Sequence, residues 1–258
     1  MKNEDFKPID QLLLDQGPIE EHEHNTTLDI IAKQTQISLP TCILRALMNQ
    51  ILEGMKIFHA AGFVHRDIKC DNILLHSPSG SERVYAKISD FGFAKEEDLN
   101  NKQTYFLGTI PYSAPEIFKM PLIVTHKVDI YALGITFYRL FTHKYPLNER
   151  NFKQQGQKLG QMKSIDQPQD IKDDILWNLL TKMLEFDPNK RITAAEALQH
   201  KFFTSPEAIS DISQEQIKLA NQAAKYQQFQ IALNYDLQPS FTVPQSQLLQ
   251  KVKIVIIF

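Results

Sequence analysis

The sequence is poor in cysteine and glycine and has no excess of charge of either sign. Two cysteines among 258 residues exclude a disulfide framework and favour a reducing compartment. Lys and Arg total 28 against 30 Asp and Glu, so the chain offers no strong positive field for nucleic acid. No apolar run approaches the roughly 20 residues that span a bilayer, and the charged N-terminus lacks the apolar core of a signal peptide. These absences predict a cytoplasmic protein with no membrane span and no nucleic-acid partner.

Apolar residues follow two different periods along the chain. Steps of three and four residues predict a helix from Thr41 to about Gly62, and similar patterns recur further along. Two short apolar runs flank a Ser-Pro-Gly turn and predict a β-hairpin. The later helical patterns lie at about 128–141, at 171–185 and from Thr193, which begins a capping box with Glu196. The sequence therefore predicts a mainly α fold with a few short strands.

The chain divides into three segments by composition. Residues 1–40 are mixed and rich in polar runs, residues 41–204 carry the strong helical patterns, and residues 205–258 are Gln-rich. We expect the last segment to be a flexible tail with one weak helix near 213–235. Residues 93–125 show neither period and contain three prolines, which predicts a long ordered loop of the kind that usually carries function.

Three motifs follow one another in a fixed order. His65-Arg66-Asp67-Ile68-Lys69-Cys70-Asp71-Asn72 lies between the long helix and the first strand of the hairpin. Asp90-Phe91-Gly92 follows the hairpin, and Ala114-Pro115-Glu116 comes later. In this combination the chain resembles the C-terminal lobe of a eukaryotic protein kinase of the serine/threonine type, over about residues 41–204. It is also similar to autophagy-initiating and calcium/calmodulin-dependent-like kinases.

The resemblance implies a phosphoryl-transfer site that uses ATP and Mg²⁺. In the family pattern, Asp67 accepts the proton of the substrate hydroxyl and Lys69 neutralises charge on the transferred group. Asn72 and Asp90 supply oxygen ligands to Mg²⁺, which prefers hard donors. Leu74 lies under the adenine ring. The implied partners are proteins that present Ser or Thr hydroxyls.

Other residues match the structural devices of the family. Asp129 corresponds to a buried carboxylate that holds the catalytic-loop backbone, and Glu116 with Arg191 to an ion pair that anchors the activation segment. His65 is expected to be a packed histidine, Phe91 to pack beneath the site and Gly92 to let the backbone turn. Cys70 is expected to be inert.

The activation segment carries the regulatory expectations. Arg66 implies a phosphate on this segment, added by an upstream activating kinase. Counting back from Gly108 puts a tyrosine at the usual position, with Thr104 one residue earlier as the candidate phosphosite. Thr109 is expected to bridge Asp67 and Lys69 through its hydroxyl.

The family's N-terminal lobe has no recognisable counterpart. The first 40 residues contain one glycine and no Val-Ala-x-Lys strand, so we expect this β-lobe to be largely absent from the sequence given. A hinge and a short helix fit within residues 6–36, with the helix at either Ile9–Leu14 or Leu28–Ala32. Two functions remain open: a serine/threonine kinase whose sequence is N-terminally truncated, or a catalytically impaired lobe that serves as a binding or scaffold module. A small-molecule phosphotransferase is disfavoured, because it would not need Lys69.

Overall fold

A computed structural model describes residues 26–36, 38–97, 108–122, 124–227 and 234–252. Its α-helices, in chain order, are α1 Asp29–Lys33, α2 Thr41–Ala60, α3 Lys127–Thr142, α4 Phe152–Gln161, α5 Asp174–Met183, α6 Ala194–Leu198, α7 Lys201–Thr204, α8 Pro206–Ser210, α9 Gln214–Gln227 and α10 Gln245–Lys251. Its strands are β1 Thr26–Thr27, β2 Phe63–Val64, β3 Ile73–His76, β4 Tyr85–Ile88 and β5 Lys95–Glu96. The mainly α architecture with a few short strands agrees with the sequence prediction.

The long helix α2 forms the centre of the fold. Most of its apolar side chains are buried, as expected for a helix with a wide apolar face. It ends at Ala60, and Gly62 follows with a φ of +82°, a left-handed conformation that glycine adopts without steric cost. The predicted helix and its stop are therefore confirmed, and the stop places the motif at residues 65–72 directly after the core.

Two small sheets frame that motif. In the first sheet β3 pairs antiparallel with both β1 and β4, and Ile73 faces Ile88 at its base. In the second, β2 pairs antiparallel with β5. The predicted hairpin is thus present as β3 and β4. Because Asn72 immediately precedes β3 and Asp90 follows β4 by two residues, the hairpin brings these two side chains toward the same end of the sheet.

Helix α3 is buried on nearly all sides, as its continuous apolar pattern indicates. Gly134 lies where α3 meets the C-terminal end of α5, and a Cβ atom there would come within 2.8 Å of Leu184 Cδ2. Thr193 is the N-cap of α6 and forms the predicted capping box with Glu196. The contact at Gly134 packs the end of α5 against α3.

Helix α4 was not predicted from the sequence. Only Gln155 and Leu159 are buried among its ten residues, so its polar sequence carries little apolar period. Its N-cap, Asn151, accepts a hydrogen bond from the backbone N–H of Gln154 and is the one local signal that favours a helix start.

The long segment 93–125 is largely irregular, as predicted, in the parts that the structure describes. It contains β5 and two short 3₁₀ turns, Ile110–Tyr112 and Pro115–Phe118, each with proline in its first turn. The candidate phosphosite Thr104 lies outside the described residues.

The Gln-rich segment contains more regular structure than the sequence predicted. Its described parts form α8, α9 and α10 together with two 3₁₀ turns, Asn234–Leu237 and Pro239–Phe241. Val243, Leu248 and Val252 are fully buried against the core. Scattered apolar residues without a period supply this burial, which explains why composition alone indicated flexibility.

The described part of the first segment contains β1 and α1. Helix α1 coincides with the second of the two predicted positions, Leu28–Ala32; the first, Ile9–Leu14, lies outside the described residues. Among the residues that the structure describes, no helix is long and apolar enough to cross a membrane.

Candidate active site

The loop that contains Asp67 is held from below by one buried carboxylate. Asp129, in the first turn of α3, is fully buried and accepts backbone hydrogen bonds from His65 and Arg66, both at 2.8 Å. The Nε2 of His59 lies 2.9 Å from the same carboxylate. Arg66 has a φ of +74°, a strained conformation for a non-glycine residue that such fixed contacts make tenable. The backbone geometry of this loop is therefore set by Asp129 of α3.

Asp67, Lys69 and Thr109 form a closed triangle of hydrogen bonds. Lys69 Nζ donates to Asp67 Oδ2 at 2.7 Å and to Thr109 Oγ1 at 3.2 Å, and Thr109 Oγ1 donates to Asp67 Oδ1 at 2.8 Å. Asp67 is 5% exposed. The arrangement places a carboxylate, an ammonium group and a hydroxyl within reach of one bound group. Thr109 bridges Asp67 and Lys69 through its hydroxyl, as the sequence analysis expected.

The donor set at the end of the hairpin fits Mg²⁺ together with phosphate oxygens. The amide nitrogen of Asn72 donates to the backbone carbonyl of Asp67 at 2.9 Å and to Asp67 Oδ2 at 3.2 Å, which leaves its carbonyl oxygen available as a ligand. Asp90 is exposed and has a φ of +62°. Mg²⁺ is commonly held by one or two carboxylates with substrate phosphates supplying further ligands. Among the described residues, no group of three or more His, Cys, Asp or Glu side chains is arranged to hold a metal ion.

His65 connects the loop to the hairpin. It is fully buried, its Nε2 lies 3.0 Å from the carbonyl oxygen of Ser89, and its Nδ1 accepts from the backbone N–H of Asp67 at 3.4 Å. The ring of Phe91 packs 5.2 Å from that of His65 and 5.5 Å from that of Phe58. At Gly92, an added Cβ would come within 3.3 Å of Asp90 Oδ1, so the absence of a side chain keeps space beside this carboxylate.

Glu116 and Arg191 form a two-pronged ion pair. The two guanidinium nitrogens of Arg191 lie 2.6 and 2.9 Å from the carboxylate oxygens of Glu116. Arg191 is buried, and it also donates to the carbonyls of Glu185 at 2.8 Å and Lys127 at 2.7 Å. The pair joins the 3₁₀ turn at Pro115–Phe118 to the beginning of α3.

Leu74 and Cys70 lie on either side of the metal-ligand candidate Asn72. Leu74 is half-buried in β3, opposite Thr27 of β1 and Lys87 of β4. Cys70 is fully buried, and desolvation raises the pKa of its thiol to about 12. A thiol with so high a pKa is a poor nucleophile, which agrees with the expectation that it is inert.

Two structural contacts near the site were not predicted from the sequence. One is the contact between His59 and the carboxylate of Asp129. Its only signal in the sequence is that His59 lies in the last turn of α2. The other is the buried pair of Arg139 and Asp29, at 3.2 Å, in which Arg139 also bonds the hydroxyl of Tyr112. It ties α1 and α3 to the segment that follows Thr109, and no local pattern joins residues so far apart in sequence.

Comparison with known proteins places the chain in a family. A family model of the protein kinase domain matches residues 17–203, more than half of the chain. The phosphorylase b kinase gamma catalytic chain, liver/testis isoform, of Mus musculus is 33% identical over 166 residues, which are 62% of this chain and 40% of that protein. The calcium/calmodulin-dependent protein kinase type II alpha chain of Drosophila melanogaster is 34% identical over 196 residues, 73% of this chain and 35% of that protein.

A solved structure supports the fold. The yeast RNA Pol II CTD kinase CTDK-1 complex contains a chain that matches with a TM-score of 0.61 and 21% identity, covering 69% of this chain and 68% of that one. Because the family model matches more than half of the chain, the chain belongs to the protein kinase family. It spans two fifths or less of the length of the curated relatives it matches. The expectation that the N-terminal lobe is largely absent stays a prediction, since the family match begins at residue 17.

Proposed function

We propose that this chain is the substrate-binding and catalytic part of a kinase that transfers the γ-phosphoryl group of ATP to Ser or Thr hydroxyls of proteins. The observation that carries the proposal is the triangle of Asp67, Lys69 and Thr109 beside the oxygen ligands of Asn72 and Asp90. Phosphoryl transfer depends on positioning and charge neutralisation more than on covalent chemistry, and these side chains supply both. The kinases among its relatives support the same class of activity.

Each side chain has a task that its contacts support. Asp67 holds and orients the substrate hydroxyl and accepts its proton, because its carboxylate is fixed at both oxygens by Lys69 and Thr109. Lys69 neutralises negative charge on the transferred phosphoryl group. Asn72 and Asp90 would hold Mg²⁺, which when bound neutralises phosphate charge, and Leu74 would offer an apolar surface to the adenine.

The test is the replacement of Asp67 by Asn in a form of the protein that transfers phosphate. We expect the rate to fall by at least about a hundredfold, which is the low end of what a positioned general base contributes, because the amide cannot accept the proton. Asp71→Asn is the matched control, since Asp71 lies in the same loop with an exposed side chain, and its rate should stay within twofold. Normal activity of Asp67→Asn would contradict the assignment.

The alternative is a binding or scaffold module without turnover. One sequence observation favours it. No G-x-G-x-x-G occurs among the nine glycines of the 258 residues, and in active kinases this motif covers the ATP phosphates. Titration of the chain with Mg²⁺ and ATP separates the two functions. Binding that Asp90→Asn weakens supports the enzyme, and absence of binding both by this chain and by a longer form of the protein that includes an N-terminal lobe supports the module.

Regulation by an upstream kinase is part of the same proposal. Arg66 lies in the catalytic loop with its backbone fixed by Asp129, which would place a cation for a phosphate on the activation segment. Mass spectrometry of an active preparation should find phosphate at Thr104, and an active protein with no phosphate between Lys95 and Leu107 would overturn this part.

A further inference from the structure

We propose that the C-terminal segment 234–252 is a positioning element of the active site, because it clamps the β3–β4 hairpin that carries Asn72 and Asp90. The roles of these two residues rest on the proposed function, whereas the clamp itself rests on contacts in the structure. We call residues 234–252 the clamp segment. It contacts the hairpin at the end opposite to the site, and Gln50 of α2 forms hydrogen bonds with both the hairpin and the clamp segment.

The core holds the hairpin through β3, whose Ile73 and Leu75 are buried, and holds β4 less firmly. Its strands are four residues each, β1 adds two more, and all four residues of β4 are only partly buried. Sheets this small depend on packing for their order. The turn that joins the strands includes Glu82, which has a φ of +53° without being glycine, so this turn needs outside contacts to hold its conformation.

The clamp segment supplies those contacts through its backbone. The N–H of Val84 donates to the carbonyl of Val243 at 2.9 Å, and the N–H of Gln245 donates to the carbonyl of Glu82 at 3.0 Å. Arg83 and Pro244 between them form an antiparallel β-bridge. The clamp segment therefore extends the hairpin by one bridge, and the strained residue Glu82 is part of it.

Arg83 fastens the same joint through its side chain. It is 6% exposed, and one guanidinium nitrogen donates to the backbone carbonyl of Asp236 at 3.0 Å and lies 3.4 Å from its carboxylate. The other nitrogen donates to the carbonyl of Leu219 in α9. Tyr85 of β4 adds a hydrogen bond from its hydroxyl to Asp236 at 3.0 Å. A buried fork with this many acceptors is specific in geometry as well as in charge.

Gln50 of α2 completes the joint from the core side. Its amide nitrogen donates to the carbonyls of Phe241 at 2.6 Å and Val84 at 3.3 Å, and its amide oxygen accepts from the N–H of Ala86 at 2.7 Å. One side chain thus contacts helix, hairpin and clamp segment together. The hairpin is thus supported by α2 and by the clamp segment, and loosening the clamp segment removes one of these two supports.

Displacement at this joint would reach the site because the hairpin is short. Ala86 is four residues from Asp90, and the N–H of Ser89 donates to the carbonyl of Asn72 at 2.9 Å, which couples the ends of β3 and β4. We therefore expect the separation of Asn72 and Asp90 to depend on the clamp segment, although it touches neither residue.

Two variants of the full chain test the clamp. Arg83→Gln removes the fork. Gln245→Pro removes the N–H that donates to Glu82 and replaces a side chain whose amide nitrogen is buried without a hydrogen-bond partner; proline is tolerated there because residue 245 is the first of α10. Arg45→Gln is the matched control, since Arg45 also binds a backbone carbonyl, that of Phe202, and a carboxylate, that of Asp211, but touches no hairpin residue.

The first measurement is amide hydrogen exchange, residue by residue. We expect at least tenfold faster exchange at Ala86 and Ser89 in both clamp variants, no change within α3, and no change at the hairpin in Arg45→Gln. Unchanged exchange at the hairpin would overturn the proposal, and so would equal acceleration within α3, which would indicate global destabilisation. If Arg83→Gln does not fold, Gln245→Pro decides alone.

The second measurement separates the clamp from the proposed function. Titration with Mg²⁺ and ATP should show at least threefold weaker binding in both clamp variants than in the wild type. Normal binding in variants whose hairpin exchanges faster would overturn the positioning role. Absence of binding both by the wild type and by a longer form that includes an N-terminal lobe would overturn the proposed function, and the exchange data would still decide whether the clamp holds the hairpin.

Discussion

Asp67 and Asp90 are two carboxylates at one site, and their surroundings are opposite. Asp67 is almost fully buried and its oxygens accept hydrogen bonds from Lys69, Thr109 and Asn72. Asp90 is exposed, in a left-handed backbone conformation at the end of a short hairpin. The geometry of the first is fixed when the chain folds, whereas the second has room to adjust to what it binds. The site thus combines a rigid half with an adaptable half.

The sharpest way to break this comparison is to remove the support of the rigid half with Asp129→Asn. An amide at 129 keeps the acceptor for Arg66, but it can no longer accept at the second oxygen from both His65 and His59. Each buried donor without a partner costs about 1–3 kcal/mol, so we expect the free energy of unfolding to fall by about 3 kcal/mol in urea titrations. Asp170→Asn, which weakens an exposed pair with Lys144, should change it by less than about 0.5 kcal/mol.

Asp67→Asn tests the rigid half directly. The substitution removes the charge from hydrogen bonds with Lys69 and Thr109, and bonds to charged groups contribute about 1.5–3 kcal/mol. Because Lys69 is partly exposed, we expect a loss near the lower value, about 1.5 kcal/mol, in the same titrations. A gain in stability would instead show that the carboxylate is held there at a cost to folding.

Cys70 extends the comparison to pH, because it lies on the buried side of the same loop. Burial raises the pKa of its thiol from 9.0 to about 12, so below pH 9 the thiol is neutral in both folded and unfolded chains. Above pH 9 only the unfolded chain releases this proton, and stability falls by about 1.4 kcal/mol per pH unit until pH 12. The stability difference between wild type and Cys70→Ala, measured at pH 9 and pH 10, should shift by about 1 kcal/mol against the wild type, because the unfolded thiol is already half ionised at pH 9. An unchanged difference would show that the thiol is solvated.

The smallest effect is expected at the adaptable half. Asp90→Asn preserves size and suits a left-handed backbone, since Asn adopts it more readily than most residues. We expect the free energy of unfolding to change by no more than about 0.5 kcal/mol, as for most exposed positions. A loss as large as that of Asp67→Asn would remove the distinction between the two halves.

The sequence predicted the parts of this molecule that depend on local pattern. Helix α2, the buried helix α3, the β3–β4 hairpin and the capping box at Thr193 each follow from spacing within a few residues. The motif order around Asp67, Asn72 and Asp90 indicated the site in the same way. Their chemical roles rest on resemblance and stay proposals.

What the sequence could not predict depends on contacts between distant residues. Arg83 meets Asp236 across 153 positions, and Gln50 meets Phe241 across 191. Neither residue type is distinctive in itself, and the Gln-rich composition of the C-terminal segment suggested flexibility. Helix α4 escaped for a different reason, because only two of its ten residues are buried and the apolar period is too weak to see.

The close approach at Gly134 fixes the distance between α3 and the end of α5. Asp129, which holds the catalytic loop, lies five residues before Gly134 on the same helix, and Arg191, which holds the activation segment through Glu116, lies seven residues after Leu184. The bare backbone at 134 therefore sets how far apart the two anchors lie. A methyl group there would push α3 and the end of α5 apart, and the shift would strain the hydrogen bond that Arg191 donates to the carbonyl of Lys127.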